Sequence, residues 1–486
     1  MRVHLFRVKK ALSLLDKPTL KKLGLYLHSP YFKVPAGVVD LFNYLLPLHP
    51  HFADAETTPA AIAKACKNLA TAKTQTNCGS LLLQHLDAFM AIENLQQNKA
   101  TLHIAALKQY QSEHLFPFFE ELYAEALTAN QKCPEQNTET LLQHHLLTEL
   151  KYTGVDARLK RHQDMDVQPI IDTLDDFHAL KKMRYLCEAI HRHYTFGTPL
   201  PPVDETLLRP TLLQATAQKQ PYVFLFLNVF QLMQATGYRR GLPFFKRIKQ
   251  FAQKHKIAFA QPTMAEAVEY VKAWCLRWIN QGHKEMMHEY LWWIDYKMKN
   301  GLILKKETML PVEFTNVVII AYHIQQQPAQ WIHRFVETYH RHLPEKLRLP
   351  YQAFGKGMAH YAEKKYTEAI RHYMSAQIKN DDVINAATRQ WEFMARYDEW
   401  QTNPAQDTDP LYHLLDAFKL YLKRHHPTVA PKKNAFEQFI HYAHILAGQP
   451  LPAAAARYGK EVEKQPHFPG KAWLQTHFGT LSKRRK

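Results

Sequence analysis

The histidines and cysteines are the residue types here most able to do chemistry, with 29 and 5 of them in 486 residues. A zinc helix uses H-E-x-x-H because residues four apart share a face. The nearest approach is His283, Glu285 and His288, whose histidines are five apart and so point about 140° away from each other on an ideal helix. Glu285 and His288 match one E-x-x-H of a di-iron bundle, but such a site needs a second pair and two further glutamates. The pairs His191/His193, His340/His342 and His425/His426 are too close along a helix to converge. His441 and His444 could share a face, without an evident third ligand.

Cys66, Cys78, Cys133, Cys187 and Cys275 are widely spaced, with no C-x-x-C. That speaks against a disulfide framework or zinc site and suits a reducing cytoplasm. No G-x-S-x-G nucleophile motif is present. Gly355-Lys356-Gly357 is the only candidate phosphate loop; it lacks the spacing and the following Ser or Thr, and reads as small residues at a helix contact. Asp175-Asp176 and Asp381-Asp382 read as carboxylates near helix starts or turns. The residues thus give no catalytic constellation, no cofactor site and no metal site, and the expectation is a protein that is not an enzyme.

Charge is the other candidate for function. The chain carries a net +18, a balance found both in nucleic-acid or anionic-membrane binders and in solvated helical surfaces. The sharpest concentration is 238–256, with Arg239, Arg240, Lys246, Arg247, Lys249, Lys254 and Lys256 and no acidic residue. Phe244, Phe245 and Phe251 are interleaved, so the stripe could track a phosphate backbone and stack bases. Alternatively, Phe244, Ile248, Phe251 and Ala252 share one helical face, which favours an amphipathic helix with its cations in solvent. Trp278, Tyr290, Trp292, Trp293 and Tyr296 read as filling between helices.

The elements that carry these residues are helices. Glycine is scarce, 15 in 486, and apolar residues recur at helical spacing along the whole chain. Residues 1–98 read as a small N-terminal helical module and 99–195 as a segment of longer helices. A Pro-rich break follows at 196–210. Residues 211–400 read as an array of helices broken at Gly237, Gly241-Leu242-Pro243, Pro262, Gly282, Gly301, Pro311, Pro328 and Pro344. Residues 411–465 hold C-terminal helices beyond a polar linker at 401–410, and 466–486 are a basic tail. The most regular unit is 350–382, two helices with a break at Glu363–Lys365. There Gly357, Ala369 and Ala376 allow close approach, and Tyr366 and Tyr373, with Phe354 and Tyr361, fill the spaces between. Its spacing is that of a tetratricopeptide repeat, which buries its apolar face only by stacking on neighbours. The expected fold is all-α, a right-handed α-solenoid of degenerate tetratricopeptide-like helix pairs. No window is long and apolar enough for a membrane span.

Several stretches in order, LLDKPTLKKLGLYLHSPYFK near the start, FHALKKMRYLCEAI at 177–190, CLRWINQGH at 275–283, the 350–382 repeat and LYHLLDAFKLYLKRHH at 411–426, together resemble a family of uncharacterised bacterial all-helical proteins with tetratricopeptide-like repeats. The resemblance implies fold and length, and no activity or site residue. Where members of that family have Asn after Ser-Pro-Tyr-Phe, this chain has Lys33. The leading functional expectation is a cytoplasmic scaffold that binds a protein or peptide partner. The alternative is a nucleic-acid-binding helical-repeat protein using the 238–256 stripe.

Overall fold

A computed structural model describes residues 2–133, 137–154, 166–202, 220–254, 262–304, 307–324, 326–377, 382–402 and 407–483. Lys256 and Asp381 therefore lie outside the described residues, as do most of the Pro-rich break at 196–210, the middle of the linker at 401–410 and the last three residues of the tail. The described residues form 22 α-helices and no sheet. They divide into two compact units, one of residues 1–133 with 142–173 and one of 134–141 with 174–486.

The first unit contains α1 (Arg2–Ser13), α2 (Lys17–Leu27), α3 (Ala36–Leu45), α4 (Pro59–Ala65) and α5 (Ala72–Gln97). Local chemistry sets several of their starts. The Asp16 carboxylate accepts from the Thr19 amide at 2.9 Å, with Pro18 in the first turn. Thr58 caps α4 ahead of Pro59. Thr71 and Thr74 cap α5 reciprocally, so this helix begins well before the apolar run that marks it in the sequence. Val8, Leu12, Leu23, Val38, Leu41, Phe42, Leu45, Ile62 and Leu82 meet in one core. A smaller core, with Ile104, Leu107, Phe119, Leu147 and Leu150, joins α6 (Lys99–Ser112), α7 (Phe116–Lys132) and α8 (Thr138–Gly154).

In the second unit one continuous core runs from Ala179 to Leu481. From α9 (Gln168–Phe196) the chain passes into α10 (Pro221–Gln234), α11 (Tyr238–Lys254), α12 (Pro262–Ile279), α13 (Glu285–Lys299), α14 (Pro311–Ile324), α15 (Pro328–Tyr339), α16 (Arg348–Ala362), α17 (Tyr366–Ser375), α18 (Asp382–Thr402), α19 (Asp409–Arg424), α20 (His426–Ala447), α21 (Pro452–Lys464) and α22 (Lys471–Ser482). Prolines sit in the first turn of α10, α15, α19, α20 and α21, where a missing amide hydrogen costs nothing. Sequential helices pack as pairs. In addition α10 meets α12, and α14, α16, α18, α20 and α22 meet in succession.

At α16–α17 the pair is close-fitting. A Cβ on Gly357 would stand 2.6 Å from the Tyr373 ring, so only glycine leaves that ring its place. Ala369, Tyr373 and Ala376 are fully buried, and half-buried Tyr366 lies 5.8 Å from the Tyr361 ring.

Three differences from the sequence reading have physical causes. Gly241-Leu242-Pro243 is no break; it lies within α11. Pro243 removes one bond in the second turn, and the buried face of Gly241, Phe245, Ile248, Phe251 and Ala252 carries the helix through it. Gly241 is needed because a Cβ there would meet the Trp274 indole at 2.6 Å. Asp175 and Asp176 lie well inside α9, where Asp176 accepts from the Gln220 amide instead of capping a helix. The stretch read as a basic tail carries α22, with Leu474, Phe478 and Leu481 buried. It is held by Asp398 of α18, which accepts from Trp473 Nε1 at 3.2 Å and from the Tyr361 hydroxyl, and lies within ion-pair range of His477 Nε2 at 2.8 Å.

Candidate functional site

α11 presents the 238–256 stripe. Phe245 and Phe251 point into the core, each 3% exposed, and Phe244 is half-buried under the Arg247 guanidinium. The buried ring is therefore Phe245 where the sequence face was drawn through Phe244. With Phe245 and Phe251 inward, those two rings are not available for bases to stack on. Arg239, Arg240, Lys246, Arg247 and Lys254 are exposed along the opposite face. Among the described residues none of these five has a carboxylate within ion-pair range. Lys249 is different: its ammonium donates to Glu289 at 2.6 Å and lies 4.6 Å from the Trp292 ring.

Beside this face a groove of about 510 Å³ runs between α11 and α13, lined by residues that include Leu242, Phe245, Lys246, Lys249, Met286 and Glu289. Tyr238 stands in its wall, stacked at 4.1 Å on the His283 ring. Burial, then the neighbouring Glu285 carboxylate, push its hydroxyl up to about 12, so it stays a neutral donor. Leu242, Phe245 and Met286 give the groove its apolar lining, Glu285, Glu289 and the glutamines Gln250 and Gln253 line it with polar groups, and of the five unpaired cations Lys246 lines it.

The other residues singled out for chemistry are engaged elsewhere. His283 contacts Glu285 at 3.1 Å, while His288 is exposed. His193 and His340 pair with backbone carbonyls of Thr198 and Val336, and His342 with that of Glu307. His425 stacks on Tyr421, and His444 faces Asp416 at 3.4 Å. Gly355 and Gly357 lie inside α16, against Val336 and Tyr373. Cys66, Cys78, Cys187 and Cys275 are free thiols, and burial raises each of them, which keeps them protonated. Trp278, Tyr290, Trp293 and Tyr296 are core residues; Trp292 is half-buried.

Two arrangements escape sequence reading. Lys272 and Lys297 are buried against Glu269 and Glu313, which come from α12 and α14. Lys297 reaches Glu313 at 2.8 Å and Glu269 at 2.7 Å; Lys272 reaches Glu269 at 2.9 Å and also pairs with Glu313. Burial alone would lower Lys272, but the two carboxylates outweigh it and hold the ammonium above its ordinary value. The only sequence signal is Glu269-x-x-Lys272. The second arrangement brings His333, from α15, to His360 and Glu363 at the end of α16. Its only signal is the i, i+3 spacing of His360 and Glu363.

No family model matches this sequence, and neither a curated protein nor a solved structure does. No helix among the described residues is long and apolar enough to cross a membrane.

Proposed function

We propose that the protein is a non-enzymatic interaction scaffold whose helix pairs from α10 to α22 stack as a right-handed, tetratricopeptide-like solenoid. The succession of contacts from α14 through α22 supports the stacking. The docking surface is the exposed face of α11 with the adjoining groove, and its ligand is an acidic segment of a protein partner. One observation carries this reading: five exposed cations on one helix face without a carboxylate partner among the described residues, one of which, Lys246, lines a groove with Leu242, Phe245 and Met286. Carboxylates of a peptide would pair with the cations while an apolar side chain entered over Leu242 and Met286. The free thiols of Cys66, Cys78, Cys187 and Cys275 suit a reducing compartment such as the cytoplasm.

Nucleic-acid binding uses the same cations and is the second reading. It rests chiefly on phosphate contacts, since Phe245 and Phe251 are buried and Phe244 is half-buried. Fluorescence anisotropy of a labelled peptide carrying alternating glutamate and leucine, against single-stranded and duplex oligonucleotides of equal charge, separates the two. The scaffold reading expects the peptide to bind more tightly at about 150 mM salt, where exposed charge contacts alone are largely screened. Tighter oligonucleotide binding, lost on adding salt with a steep slope, would replace it with the second reading.

A further inference from the structure

The geometry points to a divalent transition-metal site of the zinc class, built from His333, His360 and Glu363. One donor atom from each of these residues lies within 4.8 Å of the others. Two imidazoles and one carboxylate form the mixed nitrogen and oxygen set that suits zinc and its neighbours and is poorly suited to calcium or magnesium. His333 comes from the middle of α15, His360 from the last turn of α16, and Glu363 is the residue that ends α16. The packing of α15 on α16 therefore fixes two donors, and the helix end fixes the third.

A second observation points to a ligand. Among the described residues the buried His360 Nδ1 has no hydrogen-bond partner. Glu363 Oε2 is 3.4 Å away, in ion-pair range but not aligned as a hydrogen bond. A buried ring nitrogen without a partner is costly unless something takes its lone pair or proton. The His333 ring crosses that of His360 at 79° with centroids 5.5 Å apart, so the two imidazoles are not stacked on one another. The His372 ring lies parallel to His360, with centroids 5.2 Å apart.

Zinc ligands at about 2.0–2.1 Å from the ion stand roughly 3.3 Å apart in a tetrahedron. The donors already lie within 4.8 Å of one another, and His333 is half-buried and Glu363 exposed, which leaves their side chains room to close on an ion. Glu363 now pairs with Lys365 at 3.0 Å, and the ion would displace that ammonium. The fourth position faces solvent and takes water. A bound ion would tie α15 to the turn between α16 and α17.

The test uses the full chain, stripped with a chelator and titrated with Co²⁺ and then Zn²⁺ alone. The expected result is one Co²⁺ per chain, with visible absorption of a low-coordinate nitrogen and oxygen site that Zn²⁺ bleaches. His333→Ala and Glu363→Gln should each weaken binding by at least the roughly tenfold that loss of even an outer-shell partner costs. His288→Ala, on an exposed residue of α13, should leave it unchanged. Glu363→Gln changes an exposed side chain, so it keeps the test decisive should His333→Ala fold poorly. The absence of one-to-one binding, or wild-type affinity in both variants, would overturn the assignment.

Discussion

Lys272 and Lys297 lie in the interior, each against two carboxylates, whereas Arg239, Arg240, Lys246, Arg247 and Lys254 face solvent with none. Both groups belong to consecutive helices, α11 to α13. Removing an ion from water costs several kcal/mol, so the interior lysines occur only with Glu269 and Glu313 supplying the balancing charge. The exposed cations meet no such cost, and nothing in folding requires them to share one face. The buried charges are bound into the fold, and the exposed cations of α11 are the ones the proposed docking reading assigns to a ligand.

The largest expected effect is on the buried group. Glu313→Gln leaves two interior ammonium groups short of a carboxylate, and loss of about 3–5 kcal/mol is expected from urea unfolding. A loss below about 1 kcal/mol would mean the lysines reach water, and the contrast would collapse. Asp398→Ala comes next. It strips the acceptor shared by Tyr361 and Trp473, in ion-pair range of His477, and should cost about 2–3 kcal/mol, with proteolysis at α22 increasing first.

Gly357→Ala follows, at about 1–3 kcal/mol, because the added methyl must displace the buried Tyr373 ring. It separates packing from charge: thermal melts should fall while binding along α11 is unchanged. The smallest effect on stability is expected from reversing Arg239, Arg240, Lys246 and Arg247 to Glu. Each position should lie within about 0.5 kcal/mol of neutral, as surface changes generally do.

How much of this was legible follows from how local each signal is. Helix starts at Asp16-Lys17-Pro18 and Thr58-Pro59 lie within a few residues, and the structure places helices there. The two helices and the break of the 350–382 unit are also local, carried by small residues and tyrosines at short spacing. Gly241 and Pro243 misled because both are usual punctuation; the indole that requires the glycine, Trp274, is distant in sequence. The interior charges were illegible for the same reason. Glu313 finds Lys272 and Lys297 only after three helices have packed. His333 and His360 likewise meet through the α15–α16 contact, which no spacing rule encodes. On α11 the amphipathic pattern was visible, but which phenylalanines turn inward was settled by Trp274 and Trp293 packing against Phe245.

The most direct measurement is the affinity of the glutamate-and-leucine peptide for the wild-type chain and for the Arg239, Arg240, Lys246 and Arg247 reversal, with both unfolding midpoints determined alongside. The expected result is at least a roughly tenfold loss of affinity, since four exposed pairs at a few tenths of a kcal/mol each exceed the 1.4 kcal/mol of one decade once reversed. The unfolding midpoint should stay where it was. Equal affinity in both proteins would contradict the account, because the unpaired cations of α11 would then be solvated surface and not a docking face.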